Sequence, residues 1–272
     1  MIRDQAEFRQ LGVTEIVELE NSHNIADWQR RYKKGFRALR VHVGFYDQHL
    51  DDAIKLGLKT GDAVPETEGL ITVGPYKIVT DGSLGSQTAY CHEPYPGTKD
   101  YGVFPYQPKT LAEMARRGRE NGFKLAIHAI GDEANSLTFK TLAEGPNPLP
   151  GSTIEHAQLL DFSDLPLFKK LGLIASVQPQ HMVDDRETCA KFWPGREHRA
   201  WAFRSIVDAG IPMKLGSDCP VAQMQPWDAL AVCITRAAAG DSPMCAEQII
   251  DLETAWAAST SVRIRKNLLE RR

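Results

Sequence analysis

Short apolar runs, each closed by a polar residue, alternate along this chain with stretches whose apolar positions return every three or four residues. The short runs predict strands at Glu15 to Leu19, Arg37 to Val43, Pro75 to Val79, Lys124 to His128, Thr153 to His156, Leu173 to Gln178 and Pro212 to Leu215. The intervening stretches, such as Leu165, Phe168 and Leu171 or Phe203, Ile206 and Val207, carry the spacing of helices packed on a sheet. Glycines at 12, 122, 172 and 210 each follow such a stretch and precede a strand, the position of a helix stop. Strand and helix in strict alternation predict a parallel α/β architecture.

Length refines this picture. At 272 residues with 42% hydrophobic content, the chain suits one domain spanning 1–272, close to the about 250 residues typical of a (β/α)8 TIM-like barrel. Only seven strands are recognised, so the barrel is expected to be incomplete. The segment from Gly82 to Lys109 (82–109) is too long for an ordinary connection and rich in Gly, Pro and Tyr. Its aromatics, Tyr90, Tyr95, Tyr101 and Phe104, favour a packed lid over a loose insertion. After Ser259 the chain turns basic, with Arg263, Arg265, Lys266, Arg271 and Arg272 predicting a solvated helical end.

Charge and cysteine usage narrow the function classes. The formal charge of -3 arises from nearly balanced acids and bases, so no nucleic acid or anionic membrane is expected as a partner, and a small-molecule substrate is. Five widely spaced cysteines without a Cys-x-x-Cys argue against a disulfide framework and a zinc ribbon. No signal-peptide pattern opens the chain and no apolar run reaches spanning length, so the expected location is the cytoplasm. Neither G-x-G-x-x-G nor a P-loop occurs, which excludes the common nucleotide-binding motifs; a G-x-S-x-G elbow is also missing.

Polar residues at strand ends carry the candidate chemistry, because a barrel gathers those ends on one face. His128 closes Leu125-Ala126-Ile127, and His156 closes Thr153-Ile154-Glu155 one strand later. Alone, either histidine reads as a hydrogen-bonded core residue. Their repetition on consecutive strands, whose ends lie about 5 Å apart in a sheet, brings a metal-ligand reading level with that one. Asp218 follows Met213 to Ser217 and suits either a turn before Pro220 or a carboxylate that ligates metal and takes a proton from water. Lys77 interrupts the apolar run Pro75 to Val79, where an ammonium is costly unless it snorkels out, is paired or is modified.

These residues lie in a series of motifs: Tyr76-Lys77-Ile78-Val79-Thr80-Asp81-Gly82-Ser83-Leu84-Gly85-Ser86, His128-Ala129-Ile130-Gly131-Asp132, Ile154-Glu155-His156-Ala157-Gln158, Ser176-Val177-Gln178-Pro179-Gln180-His181 and Leu215-Gly216-Ser217-Asp218. Their order and spacing resemble the amidohydrolase superfamily, most closely amidohydrolase family 3, which includes N-acyl- and formamide-type hydrolases. The resemblance runs from about Gly12 to Ala258. It implies a metal-dependent hydrolase barrel acting on carbon–nitrogen, non-peptide amide-like bonds. It further implies a carboxylated Lys77 bridging two metals, His128 and His156 completing one metal site, and Asp218 serving the other as general base. Asp132 and His181 would lie near the substrate. The cofactor implied is a divalent metal, one ion or two, with zinc expected ahead of iron, manganese or nickel.

One departure tempers the resemblance. Family members carry a His-x-His pair on the first barrel strand and a small β-sandwich beside the barrel, and this sequence contains no His-x-His. The chain is therefore expected to be the central portion of a larger enzyme, with its second metal site compromised. Open strand edges predict a homo-oligomer. The alternative reading is a non-catalytic barrel remnant, or a subunit binding a ligand or partner.

Overall fold

A computed structural model describes residues 4–260 of the chain. Among these residues seven strands form: β1 (Glu15–Glu18), β2 (Arg40–Phe45), β3 (Ile71–Val79), β4 (Leu125–Ala129), β5 (Thr153–His156), β6 (Ile174–Val177) and β7 (Met213–Leu215). They are hydrogen-bonded neighbours in chain order, β1 through β7. Pairing is parallel between β1 and β2, β2 and β3, and β6 and β7, with Glu15 opposite Arg40 and Ala175 opposite Met213. Parallel strands in sequential order with intervening helices are the winding of a (β/α) barrel, here with seven strands in place of eight. The fold is thus α/β of incomplete-barrel type, as the alternating pattern predicts.

Helix ends follow the glycines. Gly12, Gly122, Gly172 and Gly210 all take positive φ, and each amide returns to a carbonyl of the last helical turn, as in Gly172 to Lys169 at 3.0 Å. The basic end expected after Ser259 lies outside the described residues.

Two strands differ from their predicted limits by more than one residue. β3 begins at Ile71, four residues before the expected Pro75, and β2 runs on to Phe45. Gly74 and Pro75 resemble a turn in sequence but sit inside β3, where the register of β2 against β3 shifts between Val43 and Phe45. A Cβ at Gly74 would lie 2.7 Å from the Gly44 nitrogen, so the two backbones approach there too closely for a side chain. A bulge hides a strand from pattern reading because it breaks the alternation while the ladder continues.

The described chain divides into two compact units. The first contains β1 to β3, residues 106–127 and 141–153. Its core is aromatic: Phe45 stacks on Tyr76 at 5.8 Å and meets Phe123 edge-on at 4.9 Å. The Tyr76 hydroxyl donates to Asp47 Oδ1 at 2.5 Å, and burial followed by that carboxylate pushes its pKa well up.

The second unit holds 80–105, 128–140 and the chain from Ile154 onward. Phe139 and Phe168 stack at 4.7 Å in its core. Arg236 is fully buried there. Its guanidinium donates to the carbonyls of Met244 (2.7 Å), Trp201 (2.6 Å) and Ala200 (3.4 Å).

Candidate metal centre

Four strand-end segments of the second unit supply a row of donors. His128 lies in β4, His156 ends β5, His181 lies in the helix Pro179–Asp184 that follows β6, and Asp218 lies in the turn after β7. The His128 and His156 rings are 4.5 Å apart, and those of His156 and His181 stack at 5.9 Å. One ligand atom each from His156, His181 and Asp218 falls within 4.8 Å of the others. Bonds from zinc to nitrogen or oxygen run about 2.0–2.2 Å, so this set closes on one ion with small side-chain movements.

The local backbone presents these groups at a cost. His156 and Asp218 have φ of 74° and 57°, in the left-handed region that side-chain-bearing residues seldom adopt. Non-glycine residues held there cluster at functional sites, because the surrounding structure must stabilise the conformation. Gly216 donates to the Val177 carbonyl at 3.0 Å, extending the β6–β7 ladder to the turn that carries Asp218.

The electrostatics suit a cation. His181 Nε2 is buried without a hydrogen-bond partner among the described residues, and it lies 4.0 Å from Asp218 Oδ2. Burial lowers the His181 pKa, against the pull of Asp218, Asp185 and Asp184, and so favours the neutral ring that can donate a lone pair. Asp185 moves the other way: burial raises its pKa, and His181 opposes the rise. A buried imidazole nitrogen facing a carboxylate across an open gap is the arrangement a bound divalent ion would complete.

The remaining predicted residues are placed as follows. Lys77 is buried in β3 of the first unit, 7% exposed. Asp132 begins the helix Asp132–Ala143 and is 0% exposed. Its Oδ1 accepts the His92 amide at 3.0 Å, and its Oδ2 pairs with Arg199 at 3.1 Å. Within 80–105, Tyr95 is buried and donates its hydroxyl to the Ala89 carbonyl at 2.8 Å, Tyr90 meets Phe104 at 5.9 Å, and Tyr101 is exposed.

Asp81 and Arg199 are the residues that pattern reading leaves without a role. Asp81 shares the signal that marks His128, a polar group closing an apolar run. Arg199 carries no such signal, since it sits in the short 3-10 helix Glu197–Arg199, away from any apolar run. Gly131 is tightly constrained: a Cβ there would lie 2.0 Å from the Tyr90 carbonyl oxygen, which accepts the Ala134 amide at 3.0 Å. The loop backbone is thereby seated on the start of the helix beginning at Asp132.

Sequential parallel strands whose ends deliver histidines and a carboxylate define the barrel class of metal-dependent hydrolases. Residues 3–265 match the amidohydrolase family, and the chain belongs to it. Among its relatives, the protein LONG AFTER FAR-RED 3 of Arabidopsis thaliana is 33% identical over 192 residues, covering 67% of this chain and 32% of that protein. The N-substituted formamide deformylase of Arthrobacter pascens is 23% identical over 258 residues, 90% of this chain and 46% of the enzyme. The crystal structure of a Pyrococcus horikoshii protein described as an uncharacterized metal-dependent hydrolase superposes with a TM-score of 0.82 at 24% identity. That match covers 98% of this chain and 55% of the other. The chain therefore spans between about a third and a half of the length of these curated relatives.

Proposed function

We propose that this chain forms the metal-bearing portion of a hydrolase that cleaves carbon–nitrogen bonds of amide-like small molecules, with formamides the first class to test. The observation that carries this reading is the convergence of His156, His181 and Asp218, from three separate segments, within 4.8 Å. Family membership supports the hydrolase class, and the name of the Arthrobacter pascens relative suggests the formamide.

A divalent cation held in this cluster, zinc in our proposal, would supply Lewis acidity that polarises a scissile carbonyl and acidifies water. Asp218, with its side chain 44% exposed, would take the proton from the attacking water and return it to the leaving nitrogen. His181, whose Nε2 lies 4.0 Å from that carboxylate, would offer this nitrogen to the cation. His128 and His156 form the inner wall, with Lys77 assigned to the same metal chemistry through its motif. Asp132, whose oxygens bond within the chain, positions that wall through Arg199 and the His92 amide. No helix among the described residues is long and apolar enough to cross a membrane; the cytoplasm is the location we propose.

The test is elemental analysis of protein purified without chelator, repeated for His156→Ala and His181→Ala, alongside hydrolysis of a formamide panel. The reading predicts bound zinc that both substitutions remove. Metal content unaffected by either substitution would overturn it.

A further inference from the structure

We propose that Asp81 is a positioning residue that fixes the His128 imidazole in one tautomer and one orientation. The Asp81 side chain is fully buried among three backbone amides that donate to it and the imidazole of His128. Its Oδ1 accepts the Ile130 amide at 2.9 Å and lies 3.3 Å from His128 Nε2. Its Oδ2 accepts the amides of Gly131 at 2.7 Å and Tyr90 at 3.0 Å. One carboxylate thus holds both the ring of His128 and the backbone two and three residues beyond it, and ties them to the 80–105 loop.

The chemistry of the neighbours decides where the imidazole hydrogen sits. The second partner of His128 Nε2 is the Gly82 carbonyl oxygen at 3.2 Å. A carboxylate and a carbonyl offer only lone pairs, so Nε2 must carry the hydrogen in the neutral ring. Nδ1 then keeps its lone pair, available as a ligand atom in a ring packed 4.5 Å from His156. Asp81 supplies the outer contact that typically orients a ligating histidine. The consequence for metal binding rests on the proposed metal centre; the fixing of the ring does not.

No neutral isostere can replace this carboxylate. In Asp81→Asn the amide NH2 must face either the Ile130 amide and the His128 ring or the amides of Gly131 and Tyr90, so it meets at least one backbone donor whichever way it turns. The experiment uses the full chain, metal-free and labelled with 15N-histidine, at alkaline pH, with the His128 signals identified by their loss in His128→Gln. The expected wild-type spectrum shows a protonated, pyrrole-type Nε2 and a pyridine-type Nδ1. In Asp81→Asn the two nitrogens should shift toward the other tautomer, and zinc affinity should fall about 10- to 100-fold. A wild-type His128 protonated at Nδ1 overturns the proposal, and that measurement stands even if the variant fails to fold. Unchanged nitrogen signals and unchanged zinc affinity in Asp81→Asn also overturn it. Zinc affinity unchanged in His128→Gln would instead sink His128 as a ligand, while the nitrogen signals still decide the role of Asp81.

Discussion

Asp132 and Arg199 form an ion pair at 3.1 Å, with the carboxylate wholly buried and the arginine side chain 19% exposed. Arg199 also donates to the Leu160 carbonyl at 3.3 Å, which joins the start of one helix to the segment after β5. Removing one partner of a buried pair leaves an uncompensated charge, which costs far more than removing both. Arg199→Met should therefore destabilise the protein by about 3 kcal/mol or more, and adding Asp132→Asn should recover part of that loss. Urea unfolding of the two variants checks this, and equal midpoints for Arg199→Met and wild type would remove the pair from the stabilising set.

On the proposed function, Asp218→Asn should leave the fold intact and cut amide hydrolysis by at least about 10²-fold, since the carboxylate is half-exposed in a turn and is assigned there to act on water. Unfolding midpoints matched to wild type, measured beside turnover, separate a chemical loss from a structural one. Near-normal turnover would move the general-base role to another group.

Cysteine reactivity should divide sharply. Cys219 is exposed, whereas burial pushes the thiols of Cys91, Cys189 and Cys233 up to about 12. Thiolate is the reactive form, so a soluble alkylating reagent near neutral pH should modify Cys219 first and the buried three only on unfolding. Peptide mass analysis of briefly treated native protein reads this directly.

Asp161 caps the short helix at Phe162–Asp164, accepting the Ser163 amide at 2.9 Å. That bond, ahead of the smaller influences of Arg199 and His92, lowers its pKa despite an opposing effect of burial. A carboxylate depressed in the folded state contributes stability above its unfolded pKa, near 3.9, and loses it as pH falls through the folded value. Asp161→Ala should accordingly cost about 1 kcal/mol at neutral pH, a difference that shrinks below about pH 4. Parallel unfolding curves at pH 7 and pH 3 test the sign.

We further expect self-association through the open ends of the sheet. β1 and β7 each have one strand neighbour among the described residues, and Val17 on β1 is 51% exposed. Unpaired edges recruit other strands, and a charge placed on an edge discourages this. Light scattering should show a concentration-dependent rise in mass that Val17→Lys reduces. A strict monomer at high concentration would exclude edge pairing.

The sequence by itself determined the seven strands, their alternation with helices and the glycine stops. These are local signals, set by side-chain periodicity and by backbone conformations that only some residues tolerate. It also marked His128, His156 and Asp218, since a polar group at the end of an apolar run is visible without knowing its neighbours. The start of β3 was hidden because Gly74 and Pro75 imitate a turn, and only the close approach of Gly44 shows why they continue the strand. The meeting of His181 with Asp218, the four donors around Asp81 and the Asp132–Arg199 pair were decided by tertiary packing alone. Each joins residues far apart in the chain, and which donor reaches which acceptor is set by the placement of whole elements, a quantity no local pattern encodes.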